Sequence, residues 1–192
     1  MQPSEDECTI RELVGSIWTL LAMACHYPEE PWRLPVLTTL GESGPQARTV
    51  VLRETVPSAR RLVAWTDVRS PKVAELRRDP RAQWLFYDAR SGQQLRAASM
   101  VEVHHADSVT ESAWVTVPAS NRANYLQDLA PGTVVGPRDP RRFTEPTEWP
   151  SHFAVLVATV HELDWLWLCP DGHRRARFCW DGERWGGQWL VP

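Results

Sequence analysis

Between Arg48 and Lys72 the sequence gathers cations, hydroxyls and a helix start within a short stretch. Arg48-Thr49-Val50-Val51-Leu52-Arg53 reads as a strand, a second strand ends at Trp65-Thr66, and Asp67-Val68-Arg69-Ser70-Pro71-Lys72 reads as a helix entry. A serine oxygen can cap free amides there, and a proline at the first helical position has its φ fixed and needs no donor. The helix is predicted over 71–78 and stops at Asp79-Pro80, because the residue before a proline is pushed out of the α region. Its free N–H groups and positive dipole end point at the space before Ser70, where Arg69, Lys72 and the Thr66 hydroxyl can converge on an anion such as a phosphate. On spacing alone, solvated charge flanking two strands is the commoner reading.

Side-chain alternation puts Arg48, Val50 and Leu52 on one strand face and Thr49, Val51 and Arg53 on the other, so the two arginines diverge unless a bulge intervenes. Near the C-terminus His173, Arg175 and Arg177 alternate onto one face, a row suited to an anionic substrate or simply to solvent. No residue reads as an activated nucleophile: Ser120 and Ser151 have no evident His-Asp context, and the adjacent His104 and His105 point to opposite faces, which defeats a shared metal site.

These residues need a frame. The chain of 192 residues with 43% apolar content suits one domain over 1–192. Capping boxes Ser4…Glu7 and Thr9…Glu12 precede an amphipathic helix ending at about Cys25. Strands follow at 36–40, 48–53 and 61–67, with a hairpin turn at 41–44. After the 71–78 helix come strands at 82–89 and 94–105, then short helices at 108–117 and 119–130. A long loop at 131–150 carries Arg138, Arg141 and Arg142. Strands at 153–162, 163–168, 174–180 and 185–190 complete the chain. Short antiparallel strands with few helices argue for a mainly β barrel with flanking helices rather than a doubly wound sheet.

A formal charge of −3 argues against a general nucleic-acid binder. The apolar stretch 14–25 is short and lacks a basic flank, so neither a membrane span nor a signal peptide is expected and the location reads as cytoplasmic. The four cysteines show no metal-ligand spacing and read as reduced thiols. Eleven tryptophans exceed what a core of this size needs, which points some of them at a subunit interface or a planar ligand.

The Arg48–Arg53 strand, the Trp65-Thr66 pair and the Ser70-Pro71-Lys72 turn together resemble the pyridoxamine 5′-phosphate oxidase-like family of FMN-binding split barrels. Gln94-Leu95-Arg96 resembles that family's Gln-(Val/Leu)-Arg strand, and Trp167 with Arg177-Phe178 resembles the pair lent by the neighbouring subunit. The subgroup with Thr-Asp-x-Arg-Ser-x-Lys and a His-Arg-Arg-x-Arg-Phe ending, FMN-dependent enzymes of uncertain substrate, is the most similar. The resemblance implies an FMN-binding split β-barrel working as a homodimer, with FMN at the subunit interface. It implies FMN contacts from Arg48, Val50, Val51, Trp65, Thr66, Arg69, Ser70, Lys72, Gln94, Trp167 and Arg177. Arg53, Ser120 and Arg122 would bind substrate, and His173 and Arg175 would act on it. Pro71 stands where the true oxidase has a phosphate-binding arginine, Arg53 where it has a substrate-phosphate lysine, and His173 and Arg175 where it has an Arg and a His. Those departures lie on the substrate side, which leaves open whether pyridoxamine phosphate is turned over; the expected activity is FMN-dependent oxidation or reduction of a small molecule, anionic ones included. A non-catalytic flavin carrier or sensor, and a Trp-rich barrel for another flat or sugar-like ligand, are the alternatives.

Overall fold

The computed structural model describes residues 5–136 and 152–192, with side chains from residue 9 onward. Most of the predicted 131–150 loop, its arginines Arg138, Arg141 and Arg142, the serine Ser151 and the first cap Ser4 lie outside the described residues. Helix α1 (Glu5–His26) buries Ile10, Val14, Ile17, Trp18, Leu21 and Ala24, a stripe at three- and four-residue spacing. Thr9 and Glu12, expected as a capping box, lie inside it.

The strands are β1 (Val36–Gly41), β2 (Gly44–Thr49), β3 (Leu52–Val56), β4 (Arg61–Asp67), β5 (Arg81–Asp88), β6 (Gln93–His105), β7 (Phe153–Trp167), β8 (Arg174–Trp180) and β9 (Trp185–Leu190). The helices between them are α2 (Pro71–Arg78), α3 (Ser108–Thr116) and the single turn α4 (Ala119–Arg122), which a 3-10 turn, Ala123–Tyr125, continues. All strand pairs are antiparallel, and the path runs β2-β1-β5-β6-β7-β4-β3 with the β8–β9 hairpin paired to β7. The fold is mainly β with flanking helices, as expected.

The ends of that path, β2 and β3, are consecutive in sequence and only Val50 and Val51 separate them. Three residue steps reach about 11 Å at most, so the two edges of the sheet must come together and the sheet curls into a barrel. The strand predicted as continuous from Arg48 to Arg53 is therefore two: Arg48 pairs with β1, Leu52 pairs with β4, and Val50 N–H bonds instead to the Pro35 carbonyl at 3.0 Å. Conversely, the two strands predicted at 153–162 and 163–168 are one. The first half of β7 lies between β4 and β6, and its second half lies between β6 and β8.

Two apolar clusters fill the molecule. The main one joins α1 to inward residues such as Leu62, Ala64, Trp84, Phe86, Leu95, Ala97, Leu163, Trp165 and Phe178. A smaller one lies on the other side of β4 and β7, where Val63, Phe153, Val155 and Val157 meet Val117 and Tyr125. Trp18, Trp32, Trp84 and Trp165 all go to the main core, which accounts for part of the tryptophan excess by plain packing. Among the described residues no helix is long and apolar enough to cross a membrane.

Candidate functional site

Lys72 is the only lysine of the chain. It lies in the first turn of α2, and its ammonium donates to Thr66 Oγ1 at 3.0 Å and to Ser70 Oγ at 3.1 Å, with the two hydroxyls 3.2 Å apart. Thr66 and Ser70 are both buried. Ser70 occupies the cap position of α2 with extended backbone, yet its side chain makes no capping bond to the helix amides. The expectation that it caps is corrected for a simple reason: its hydroxyl turns to Lys72 and Thr66. That leaves the α2 entry without a side-chain cap, next to a cation and two hydroxyls that can donate.

Arg48 on β2 reaches the same helix. It bonds to the Thr39 hydroxyl and pairs with Glu75 at 2.9 Å, and Thr39 in turn donates to Glu75. The Lys72 pKa is lowered, first by burial and then by the positive charge of Arg48. The Asp67 and Glu75 carboxylates offset part of this, and the lowering that remains leaves the ammonium to gain from a further anion. Sequence reasoning missed Thr39 and Glu75. Glu75 shares a helix face with Lys72 at a spacing of three, a signal that was available.

Arg69 does not join this cluster. Asp67 accepts from its backbone N–H at 2.8 Å and from its guanidinium at 3.1 and 2.7 Å, and the carbonyls of Gln127, Asp128 and Leu129 take the remaining donors. It serves as a strut between the β4–α2 turn and the 127–129 segment. Trp65 also points away from Thr66, as alternation along β4 requires. It packs on the smaller core cluster, edge-on to Phe153 at 6.0 Å. Val50 and Val51, the link between β2 and β3, are half-buried.

On the Trp65 side a register shift between Leu52 and Glu54 makes Arg53 the extra residue of a β-bulge. Bulges re-aim side chains. Here the Arg53 guanidinium lies 4.4 Å over the Trp65 ring. Arg122 stacks in turn on Trp114 at 5.1 Å and donates to the Val117 carbonyl at 3.2 Å. Trp114, Tyr125 and Phe153 contact one another with centroids 4.9–6.2 Å apart. Ser120 is exposed on α4.

The third group lies on the outer face of β6, β7 and β8. Cross-strand register aligns Gln94 with Leu166 and Arg175, and Arg96 with Asp164 and Arg177. Asp164 is 3% exposed and accepts from Arg96 at 2.5 Å and from Arg175 at 3.0 and 2.8 Å. Burial alone pushes its carboxyl pKa up, but the hydrogen bonds and charges of Arg175 and Arg96 outweigh that and hold it below the ordinary value. An acid inside the apolar run Leu163-Asp164-Trp165 signals such pairing in the sequence, and it went unread. Arg175 is thus bound to a carboxylate rather than free, and His173 precedes β8 on an exposed turn instead of continuing the strand row. Trp167 takes the opposite, inward face beside Trp165, with its indole N–H donating to the Ser91 carbonyl at 3.0 Å. Gln94 and Arg177 therefore share a face that Trp167 does not.

Four side-chain nitrogens are buried without a hydrogen-bond partner among the described residues: those of Trp18 and Trp32 in the core, and Nε of Arg53 and of Arg177. Buried donors normally find partners, so the two arginines are incomplete in the isolated chain. Both were singled out from the sequence.

Residues 17–105 match the model of the pyridoxamine 5′-phosphate oxidase family's FMN-binding domain. Solved structures extend the likeness over most of the chain. A pyridoxamine 5′-phosphate oxidase-related, FMN-binding protein from Nostoc punctiforme is 23% identical, over 93% of this chain and 96% of that one, with a TM-score of 0.75. PhzG from Burkholderia lata, solved with tetrahydrophenazine-1-carboxylic acid, is 18% identical over 99% and 94% of the two chains, with a TM-score of 0.70. A protein related to general stress protein 26 from Clostridium acetobutylicum is 12% identical over 85% and 93%, with a TM-score of 0.56. The resemblance read from the residues is borne out, and so is the fold that it implied.

Proposed function

From a chain of the pyridoxamine 5′-phosphate oxidase-like split-barrel fold, we propose an FMN-dependent oxidoreductase acting on a small anionic molecule. It works as a cytoplasmic homodimer of a single domain, 1–192, with FMN at the subunit interface. The observation that carries the cofactor reading is the uncapped start of α2, with Lys72 held between the Thr66 and Ser70 hydroxyls and Arg48 close by. That donor set fits a terminal phosphate. Ammonium, hydroxyls and helix amides all donate, and charge-assisted bonds to phosphate oxygens are the strong ones.

In this reading Arg48, Thr66, Ser70 and Lys72 hold the phosphate, with Val50 and Val51 beside them. Gln94, Trp167 and Arg177 serve the flavin from the outer sheet and its end. Arg69 and Trp65 support the clamp from behind, Arg69 by fixing the turn before Ser70 and Trp65 by carrying Arg53. FMN, when bound, supplies a ring that takes up or gives two electrons, so the protein's own task is orientation and charge. Arg177, with a buried nitrogen still to be bonded, suits an acceptor on the ring or on the substrate. Arg53, Ser120 and Arg122 would orient the substrate. In this reading His173 would act on the substrate, and Arg175 would bind a negative charge once a ligand draws it from Asp164.

That last condition favours one rival, a non-catalytic flavin carrier, because the Arg175 to Asp164 pairing leaves the substrate row only partly prepared. An absorption spectrum of the purified protein, with release of the chromophore, tests the cofactor. Steady turnover with a reductant or an amine substrate separates enzyme from carrier. Replacing Arg48 and Lys72 together by Ala is expected to weaken FMN binding by 100-fold or more, on the order of two charge-assisted bonds. Undiminished binding would remove the clamp from the account.

A further inference from the structure

We propose that the cleft between α3 and the β3, β4 and β7 surface binds a planar aromatic monocarboxylate of two or three rings, with Arg53 as its carboxylate anchor. The inference rests on the oxidoreductase reading only for what happens to that ligand; binding itself can be measured without FMN. The cleft has a volume of about 590 Å³, inside the usual range for small-molecule sites. Val63, Val155 and Val157 line it as an apolar floor, and Trp65 forms one wall. A flat hydrocarbon face fits such a surface without leaving polar groups stranded.

Arg53 supplies the polar end. The bulge at its position throws the side chain over Trp65 rather than into the β3–β4 ladder. Its Nε is buried without a partner, and no described carboxylate forms an ion pair with it. Burial lowers its pKa, the mark of a cation that has lost water and gained no anion. A guanidinium already stacked on an indole keeps its N–H edge for a carboxylate. Arg61 and Glu54 also line the cleft, so with Arg53 its net charge is +1. One charge matches a single carboxylate better than a doubly ionised phosphate. Ser108 and Ser112 of α3 recur at a four-residue spacing along the cleft wall; Ser112 Oγ donates to the Ser108 carbonyl at 2.8 Å and keeps its lone pairs to accept from a ring substituent.

The test uses 2-naphthoate as probe, with naphthalene and 2-naphthyl phosphate as controls, titrated calorimetrically into the full-length protein with and without added FMN. The naphthoate should bind more tightly than either control. Arg53→Ala should lower its affinity roughly tenfold or more, Arg53→Lys by a smaller factor because the charge is kept and only the planar fork is lost, and Ser112→Trp should abolish binding by filling the cleft. Circular dichroism confirms that each variant folds, and the lysine and tryptophan variants keep the test decisive if the alanine variant does not. Equal affinity in wild type, Arg53→Lys and Ser112→Trp overturns the proposal, as does tighter binding of the phosphate. Failure of the wild type to take up FMN while the naphthoate results hold sinks the cofactor reading and leaves this one standing.

Discussion

Lys72 carries more of the cofactor reading than any other side chain, and being the only lysine makes it directly observable. Burial and the Arg48 charge set its pKa in the folded protein below the ordinary 10.5. Between those two values the unfolded chain holds a proton that the folded chain has lost, so stability of the ligand-free protein rises with pH across that window. A bound phosphate reverses the sign, because it stabilises the ammonium. With ε-¹³C-labelled lysine the protein gives one side-chain resonance, whose titration midpoint should lie below 10.5 and move up on addition of FMN. A midpoint that FMN leaves untouched would place the phosphate elsewhere. At this scale the sequence disclosed which residue types gather, because cap, proline and cation sit within six residues. It could not disclose partners distant in the chain. Arg69 turning to carbonyls at 127–129, and Arg175 to Asp164, depend on the tertiary fold.

Element boundaries were legible wherever a local signal exists. Val63 and Thr66 mark β4, the Asp181-Gly182 turn separates β8 from β9, and Ser70-Pro71 with Asp79-Pro80 brackets α2. What failed was continuity, since pairing decides whether a run of apolar residues is one strand or two. Thr49 and Leu52 belong to opposite ends of the sheet path, and nothing local reports that. The same dependence makes β9 sensitive at Gly187. A Cβ there would lie 2.6 Å from Phe178 Cδ1 and 2.9 Å from Ile10 Cγ2, wedging the hairpin away from α1. Overpacking of this kind costs about 1–3 kcal/mol. Gly187→Ala should therefore lower the melting temperature by roughly 2–12 °C for a chain of this size. Gly186→Ala is its control, because a Cβ there meets only the Cys179 carbonyl at 3.9 Å and should change the melting temperature little. Equal behaviour of the two variants would mean that α1 does not pack on β9 as described.

At the scale of the whole molecule, the proposed function makes the clamp at the start of α2 and the outer row of β6 to β8 two half-sites. No described hydrogen bond or ion pair links Thr66, Ser70 or Lys72 to Gln94, Arg175 or Arg177 within one chain. A barrel that leaves one arginine nitrogen buried and unbonded in the outer row, and an uncapped cationic helix start in the clamp, has unused donors at both. A second copy related by a two-fold axis can bring the outer row of one protomer to the clamp of the other, and do so twice. Complementation tests this arrangement. Lys72→Ala and Arg177→Ala should each lose FMN uptake when expressed alone. Co-expressed, they pair at random, and half of the dimers contain one of each. In such a dimer both substitutions fall on one site and the other site is intact, so uptake should recover to roughly a quarter of all sites. Were each site built within one protomer, every site would still carry one substitution and co-expression would restore nothing. Recovery thus depends on which chain supplies Arg177, a question that binding measurements on either variant alone leave open.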